Sequence, residues 1–283
     1  MISVVVPAHN EGLVISRMLS ALVGCSGLEQ LDVTVVCNGC TDDTADIARR
    51  FSPAVRVIES EIASKTHALN LGDQASGTFP RIYADADIVI TPEAIRALAA
   101  RLEQGGVLAA APTPEINLTE CSRMVRQYYR IRALLPSARE GIGGSGVYAL
   151  SEAGRKRFAR FPNIVADDAY VRVQFKVEER ETLRSVKSRV FPPRTIKQLI
   201  AVRIRARIGT SELAARFPNL WGNRGEANSR CLICLFKQPR LWLGLLVYCY
   251  VNACARIGAS VLSRNGARSW QRDDTSRVAL SSK

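Results

Sequence analysis

The first 111 residues alternate between short apolar runs and segments whose apolar positions repeat with a helical spacing. Ile2–Pro7 is rich in β-branched residues and ends at a proline, which is typical of a buried strand. Further strands are predicted at residues 31–37, 55–58 and 107–111, and another begins at Arg81. Because helices separate these strands, the pattern predicts an α/β fold with a mostly parallel sheet flanked by helices.

Local signals predict where several helices lie. The apolar side of the first helix is predicted to consist of Leu13, Ile15, Leu19 and Leu22. Thr41 is placed to cap a second helix, and Thr91–Glu93 combines a cap, a proline and an acid in the way that starts a helix. A later helical stretch at 118–135 has one apolar face, made of Met124, Tyr128, Ile131 and Leu135.

Two carboxylates, Asp85 and Asp87, follow the strand that begins at Arg81. On an extended chain both point the same way, because side chains alternate with a period of two. Paired carboxylates suit Mg²⁺ or Mn²⁺ held jointly with the phosphates of a substrate. A solvated turn is the alternative interpretation, since aspartate favours turns for purely local reasons.

Polar pairs also follow the first two strands: Asn10 with Glu11, and Asn38 with Asp42. In parallel α/β sheets, ligands bind outside the carboxyl ends of the strands, so this shared position favours a binding site over solvated turns. Lys65, just before a predicted helix at 66–74, can reach a phosphate there. The sequence contains no Gly-x-Gly-x-x-Gly or Walker loop, which disfavours dinucleotide cofactors and leaves phosphate neutralisation to a metal.

Six short motifs, taken together and in order, resemble the successive signatures of family 2 glycosyltransferases. They are Pro7-Ala8-His9-Asn10-Glu11, Asn38-Gly39-Cys40-Thr41-Asp42, Lys65-Thr66-His67-Ala68-Leu69-Asn70, Asp85-Ala86-Asp87, Gly143-Gly144-Ser145-Gly146 and Asp167-Asp168. The resemblance covers residues 1–175 and implies a GT-A fold, a nucleotide-diphosphate sugar donor and a divalent metal, Mn²⁺ or Mg²⁺.

The resemblance also implies roles for individual residues. The implied contacts of the nucleotide sugar are Pro7, Ala8, Asn10, Glu11, Asn38, Asp42, Lys65, Asp85, Gly144 and Ser145. Among these, Asn38 and Asp42 would lie near the base and Asp85 near the ribose. Asp87, together with Asp85, would hold the metal on the diphosphate. Cys37 stands where the family often has an acid, which leaves the identity of the base open.

Asp167 and Asp168 open a predicted helix at 169–175. Adjacent acids at a helix N-terminus usually serve as caps or as partners of the helix dipole. Inverting sugar transfer instead needs a carboxylate that takes the proton of the acceptor hydroxyl. The resemblance implies that the second acid is this base, so Asp168 is predicted as the base and Asp167 as its orienting or capping neighbour.

Residues 184–283 contain 19 Lys+Arg against 4 Asp+Glu, whereas residues 1–183 are nearly neutral. A basic final third favours contact with an anionic surface, and we predict no nucleic-acid partner. Arg203, Arg205 and Arg207 are candidates for contacts with the diphosphate or the acceptor, or alternatively form a basic face against anionic lipid. Leu241–Val251 is too short for a spanning helix, which needs about 20 apolar residues. We interpret it as a membrane-interfacial anchor, with a buried helix as the alternative. A single span through residue 262 is possible only if Arg256 finds a partner.

Eight cysteines raise the question of a metal or disulfide framework. The two Cys-x-x-Cys pairs, at 37/40 and 231/234, lie too far apart in sequence for a zinc ribbon. Met1 leads directly into a strand-like run rather than a signal peptide, so free thiols in a reducing cytosol are predicted.

Three regions are predicted: a catalytic domain at 1–195, a basic helical region at 196–262 with an interfacial segment at 241–256, and a polar tail at 263–283. The predicted activity is metal-dependent, inverting sugar transfer to a glycan or lipid-linked acceptor at the cytosolic face of a membrane. Two alternatives stay open. One is a nucleotidyltransferase, which usually has a Gly-rich basic loop after its first strand. The other is a non-catalytic binding module with the same fold.

Overall fold

The computed structural model describes residues 1–23, 31–225 and 228–264, and it contains a seven-stranded sheet. The strands are β1 Ile2–Ala8, β2 Leu31–Asn38, β3 Val55–Ser60, β4 Arg81–Ala84, β5 Ala109–Ile116, β6 Val147–Leu150 and β7 Arg180–Val190. Their order across the sheet is β3-β2-β1-β4-β6-β5-β7. Only β6 runs antiparallel to its neighbours, so the predicted mostly parallel α/β sheet is confirmed.

Ten α-helices fall within the described residues. They are α1 Ile15–Val23, α2 Thr44–Arg49, α3 Lys65–Ala75, α4 Pro92–Glu103, α5 Arg123–Arg132, α6 Glu152–Arg155, α7 Asp167–Val173, α8 Ile196–Arg216, α9 Ser229–Phe236 and α10 Trp242–Arg264. Thr91 caps α4 as predicted, because its hydroxyl accepts a hydrogen bond from Ala94 N at 3.4 Å.

The core lies on both faces of the sheet. Along β1, Val4 and Val6 pack into a cluster that includes Ile15 of α1, whereas Val5 packs with Leu69 of α3 on the other face. This alternation follows from the two-residue period of a strand. Because β1 is buried along its whole length, both faces of the central sheet are covered, as parallel sheets require.

Two predictions about the first helices are wrong. Leu13 is 68% exposed and precedes α1. The buried face of α1 consists of Ile15, Met18, Leu19 and Leu22. Thr41 does not cap α2, which begins three residues later. Asp42 instead accepts hydrogen bonds from Thr44 N at 3.1 Å and from the Thr44 hydroxyl at 2.5 Å, so a local turn precedes the helix.

The acidic segment after β4 is not extended. The strand ends at Ala84, Asp85 N donates a hydrogen bond to Gly146 O at 2.8 Å, and Ala86 and Asp87 form a turn. The turn lets Ile88 and Ile90 return into the core, where both are buried. The predicted two-residue alternation of the carboxylates is therefore wrong, although both of them face the cavity described below.

Two later elements also differ from the prediction. Met124 is half-exposed, and Val125 takes its place in the buried face of α5. Strand β5 continues through Pro112 and Pro114 instead of ending there. Among the described residues, β5 pairs with β6 only at Ala109 and Ala110. Proline has no N–H to donate, and both prolines lie after the part of β5 that pairs with β6.

The C-terminal helices form a layer of their own. Helix α10 packs against α5 and α8, and Tyr248 of α10 stacks on Tyr128 of α5 with ring centroids 5.2 Å apart. The predicted polar tail begins at Ser263, but Ser263 and Arg264 belong to α10, and residues 265–283 lie outside the described part of the chain.

Gly72 of α3 offers a test of how closely this helix packs on the sheet. A Cβ at residue 72 would lie 2.2 Å from Val5 Cγ1, and Val5 is fully buried in β1. We expect Gly72→Ala to lower the free energy of unfolding by about 1–3 kcal/mol, measured by chemical denaturation. Gly77→Ala is the control, since a Cβ there meets nothing within 4 Å. Equal stability of the two variants would contradict this packing.

Candidate nucleotide-sugar site

The loops after β1 and β2 are joined by hydrogen bonds from side chains to the backbone. Asn10, which has a positive φ of 50°, accepts a hydrogen bond from Thr41 N at 2.7 Å. Asp42 Oδ2 accepts one from Gly12 N at 3.0 Å. The polar residues predicted for the nucleoside therefore meet at the carboxyl ends of two adjacent parallel strands.

Asn38 and Glu11 are buried within this pair of loops. The Asn38 side chain is 2% exposed, and in the amide orientation that pairs both of its ends it donates to Ala8 O at 2.8 Å and accepts from Ser64 N at 3.1 Å. Glu11 N donates to the Thr44 hydroxyl at 2.7 Å. Asn38 thus joins β1, β2 and the loop before α3, and its side chain supports the loops rather than facing a ligand.

A cavity of about 270 Å³ lies beyond the carboxyl ends of β1 and β4. The predicted site residues that line it are Pro7, Lys65, Asp85, Asp87, Gly144, Asp167, Asp168, Arg203 and Arg205. The predicted site residues that do not line it, all within the described residues, are Ala8, Asn10, Glu11, Asn38, Asp42, Ser145 and Arg207. The phosphate-side and catalytic predictions therefore converge on one cavity, and the nucleoside-side predictions converge on the adjoining loops.

Lys65 connects three segments of the chain at this cavity. Its Nζ lies 2.8 Å from Asp85 Oδ1 and 3.0 Å from Asp167 Oδ2. These side chains come from the first turn of α3, the end of β4 and the start of α7. Burial opposes the charge of Lys65, but the attraction of the surrounding carboxylates outweighs burial and raises its pKa.

Asp167 is the most buried acid of this cluster, with 4% exposure. Burial raises the pKa of Asp167 to about 6, against the lowering effect of Lys65 and with added repulsion from Asp168 and Asp85. One ammonium group cannot neutralise three neighbouring carboxylates, and the burial of Asp167 therefore favours its protonated form.

Asp168 lies at the start of α7, opposite the glycine-rich turn. Its Oδ1 accepts a hydrogen bond from Ala169 N at 2.7 Å, and its Oδ2 would lie 3.6 Å from a Cβ added at Gly143. Gly143 has a φ of 90°, which favours glycine. Because the N-cap of α7 is Ala166 and Asp167 pairs with Lys65, Asp167 is not a side-chain cap, although it lies in the first turn, where an acid interacts favourably with the helix dipole.

The predicted ligand contact of Ser145 is not supported by its position. Ser145 is completely buried, and its hydroxyl lies 2.8 Å from Gly141 O and 2.6 Å from Val147 O. It also accepts a hydrogen bond from Val147 N at 3.2 Å. The hydroxyl therefore stabilises the turn, while the backbones of Gly143, Gly144 and Gly146 border the cavity.

The positions of the three arginines of α8 relative to the cavity do not follow their helical spacing. Arg203 and Arg205 line the cavity, whereas Arg207 is exposed and does not. The predicted contact of Arg207 with a ligand is therefore not supported by its position, although Arg207 lies one helical turn from Arg203. Long arginine side chains can extend toward a cavity from neighbouring positions of a helix, so angular position alone does not select them.

Sequence reasoning missed several residues of the cavity. Tyr148 of β6 and Arg132 at the end of α5 both line it. Burial raises the pKa of Tyr148 well above its usual value, with repulsion from the nearby acids adding to the shift, so its phenol stays protonated. Tyr129 also lines the cavity, whereas the sequence pattern alone favours core packing for both Tyr128 and Tyr129. Aromatic residues within apolar runs give no signal in the sequence that separates a cavity wall from a core.

The donor set at the cavity fits a divalent metal that a ligand helps to hold. Among the described residues, no group of three or more His, Cys, Asp or Glu side chains is placed to hold a metal by itself. Asp85 and Asp87 are nevertheless carboxylates that line the same cavity. Mg²⁺ and Mn²⁺ commonly bind through one or two carboxylates, waters and substrate phosphates, so this donor set is sufficient.

The fold and the cavity together define a class of protein. A mostly parallel sheet with carboxylates and a lysine beyond its carboxyl edge is suited to a nucleotide-linked substrate. Residues 3–157 match the sequence profile of Glycosyl transferase family 2, which is more than half of the chain, and the chain therefore belongs to this family. No curated protein sequence matches the chain significantly.

Solved glycosyltransferases show the same fold at low sequence identity. The mannosyltransferase PcManGT from Pyrobaculum calidifontis, in complex with GDP-Man and Mn²⁺, is 20% identical, with 94% of this chain and 76% of that chain covered and a TM-score of 0.60. Glucosyl-3-phosphoglycerate synthase from Mycobacterium tuberculosis, in complex with Mn²⁺, UDP and phosphoglyceric acid, is 19% identical, with coverages of 76% and 78% and a TM-score of 0.55. The predicted GT-A fold is therefore confirmed.

The raised pKa of Asp167 predicts a pH dependence of stability. Between about pH 4 and pH 6 the folded state holds a proton on Asp167 that the unfolded state has released, so stability falls as the pH rises. We expect the unfolding free energy of the wild type, minus that of Asp167→Asn, to decrease by up to about 3 kcal/mol from pH 4 to pH 7. Urea titrations across this range measure it. A difference that is constant or rises would contradict the assignment.

Proposed function

We propose that this protein transfers a hexose from a nucleotide-diphosphate sugar to an acceptor hydroxyl, with inversion and with a divalent metal. The observation that carries the proposal is that Lys65, Asp85, Asp87 and Asp168 line one cavity in a chain of family 2. Membership of this family favours sugar transfer over nucleotidyl transfer. The acids in the cavity favour catalysis over a non-catalytic binding module.

Asp168 is the proposed general base. Its carboxylate lines the cavity and takes the proton of the acceptor hydroxyl as that oxygen attacks the anomeric carbon. The bond from the anomeric carbon to the diphosphate oxygen breaks at the same time, and the nucleotide diphosphate leaves with the electron pair. A single displacement of this kind inverts the configuration at the anomeric carbon.

Asp87, together with Asp85, is the proposed metal site. A bound Mg²⁺ or Mn²⁺ would stabilise the negative charge of the leaving diphosphate, so no separate general acid is needed. Lys65 holds Asp85 and Asp167 in fixed positions before any ligand binds, which limits the reorganisation that donor binding requires. The complexes of similar structures with GDP-Man and with UDP support a nucleotide-sugar donor, and the base stays open.

We also propose that α10 lies on a membrane surface. Leu245 and Val251 on one side of the helix are buried, in contact with the layer formed by α5 and α8. The large side chains exposed on the other side include Leu243, Leu246, Tyr250, Ile257 and Val261. Their spacing places them on one face of the helix. Lys237 and Arg240, both exposed and just before α10, suit anionic lipid.

An interfacial position fits α10 better than a lone span. By length and composition alone, Pro239–Ser263 is long and apolar enough to cross a membrane. One side of the helix, however, is covered by protein, and a membrane surface contacts only the other side. The proposed setting is the cytosolic face of a membrane, with residues 1–195 as the catalytic domain and 196–262 as the anchoring region. A glycan or lipid-linked acceptor there places the protein in the synthesis of a surface polysaccharide or glycolipid.

Asp87 and Asp168 have separable roles in this proposal. We expect Asp168→Asn to keep Mn²⁺-dependent donor binding and to lower kcat by about 10²–10⁴-fold, whereas Asp87→Ala loses metal-dependent binding. Calorimetry with UDP-, GDP- and dTDP-sugars measures binding, and a transfer assay measures turnover.

Asp46→Asn is the control, because this exposed carboxylate of α2 lies outside the cavity. Normal sugar transfer by Asp168→Asn would refute the assignment of Asp168 as the general base. A wild type that binds no nucleotide under these conditions would refute the proposal of a nucleotide-sugar donor.

The apolar outer face of α10 predicts membrane binding. We expect the double variant Leu243→Glu and Leu246→Glu to lose most binding to vesicles of equal parts phosphatidylglycerol and phosphatidylcholine, measured by co-sedimentation. Each buried leucine contributes about 1.5–3 kcal/mol to such binding, and each new glutamate is repelled by anionic lipid. The control Leu13→Glu changes an exposed leucine outside the C-terminal helices. Unchanged co-sedimentation of the double variant would refute the proposal that α10 binds the membrane surface.

A further inference from the structure

A second group of charged side chains lines the cavity and comes from different elements than the acids. Arg132 ends α5 and Arg203 lies within α8. Three apolar residues of the same region, Phe191, Leu199 and Val202, also line the cavity. The cavity therefore has an acidic part, at the ends of the strands, and a basic and apolar part, formed by α5, α8 and the segment that follows β7.

No carboxylate in the described part of the chain neutralises these two arginines. Within the described residues, neither Arg132 nor Arg203 takes part in an ion pair, whereas Arg172, Arg180 and Arg194 do. The buried Nε of Arg203 also has no hydrogen-bond partner in the part of the chain that is described. A buried donor on a cation is costly to leave unsatisfied, so the Nε of Arg203 favours a bound group that accepts a hydrogen bond.

The guanidinium groups of Arg132 and Arg203 lie near the same two tyrosines. Both lie close enough to Tyr129 and Tyr248 to influence the ionisation of each phenol. Two cations that line one cavity without a carboxylate partner among the described residues favour the binding of an anion there. Guanidinium groups present several fixed donors, which match the oxygens of a phosphate.

We propose that Arg132 and Arg203 bind a phosphate group carried by the acceptor, and that an apolar chain attached to this phosphate lies along Phe191, Leu199 and Val202. The inference rests on the proposed function, in which the donor diphosphate lies at Asp85 and Asp87. The phosphate is a binding group only. A separate hydroxyl of the acceptor attacks the anomeric carbon and gives its proton to Asp168.

The surroundings of the arginines favour an acceptor drawn from a lipid surface. Leu199, which lines the cavity, belongs to the same apolar cluster as Val247 and Val251 of α10. Tyr128 of α5 stacks on Tyr248 of α10. The helices that carry the arginines therefore rest directly on the inner side of α10, whose outer side is the proposed membrane contact. An apolar chain bound at this subsite would lie beside that layer.

Calorimetry with n-hexyl phosphate tests the subsite without knowledge of the acceptor. We expect the wild type to bind it, and Arg132→Gln and Arg203→Gln each to weaken binding at least about tenfold. Arg207→Gln is the matched control, because Arg207 is an exposed arginine of the same helix outside the cavity. Absence of binding by the wild type, or equal weakening by Arg207→Gln, would overturn the proposal.

Further ligands distinguish the source of the phosphate and the role of the arginines. Tighter binding of n-hexyl phosphate than of inorganic phosphate or n-hexanol supports a phosphate on an apolar chain, and equal affinities would overturn that part. Unchanged binding of GDP or UDP with Mn²⁺ by both arginine variants supports a subsite for the sugar acceptor. Weakened binding would instead show that the arginines belong to the site of the nucleotide-sugar donor.

The two proposals can also fail separately. A wild type that binds n-hexyl phosphate through the arginines, but binds no nucleotide, would refute the donor proposal and leave a phosphate subsite. A wild type that binds nucleotides but not n-hexyl phosphate would refute only the subsite.

Discussion

The ion pairs of Lys65 are the interaction on which the candidate site depends. A partly buried lysine in an α/β core is stabilised when carboxylates lie close to it, and here Asp85 and Asp167 do so from two other elements. This pairing sets the end of β4 and the start of α7 on either side of the first turn of α3. Asp168, adjacent in sequence to Asp167, is thereby brought to the same cavity. The site is thus assembled by charge pairing between segments that the sheet brings together.

The frame around this cluster is built from backbone hydrogen bonds and close packing. The loops after β1 and β2 are held by Asn10, Asn38 and Asp42, whose side chains bond to backbone atoms of neighbouring loops. The turn at Gly143 takes a positive φ and leaves room beside Asp168. In this way the polar residues of the first two loops set the shape of the site, while the charged residues on α3, β4 and α7 supply its chemistry.

Much of this arrangement could be predicted from the sequence, because it follows the ends of strands. Asp85, Asp87 and Lys65 were identified from their positions next to predicted strands and helices, and the cavity includes all three. Ser145 and Arg207, which the sequence also predicts as ligand contacts, do not line the cavity, because neighbouring packing decides which way a side chain faces. Tyr148 and Arg132 were missed, since a tyrosine in a strand and an arginine at a helix end carry no distinguishing local pattern.

The sequence by itself determined the alternation of strands and helices, and therefore the mostly parallel sheet and the edge at which polar residues gather. The period of apolar residues is a local property that each segment carries alone. Only the tertiary structure decided that Lys65 pairs with Asp167 and that Arg203 rather than Arg207 lines the cavity. It also decided that one side of α10 is covered by protein and the other side is exposed. Those outcomes depend on the packing of elements far apart in the chain, and no local pattern encodes that packing.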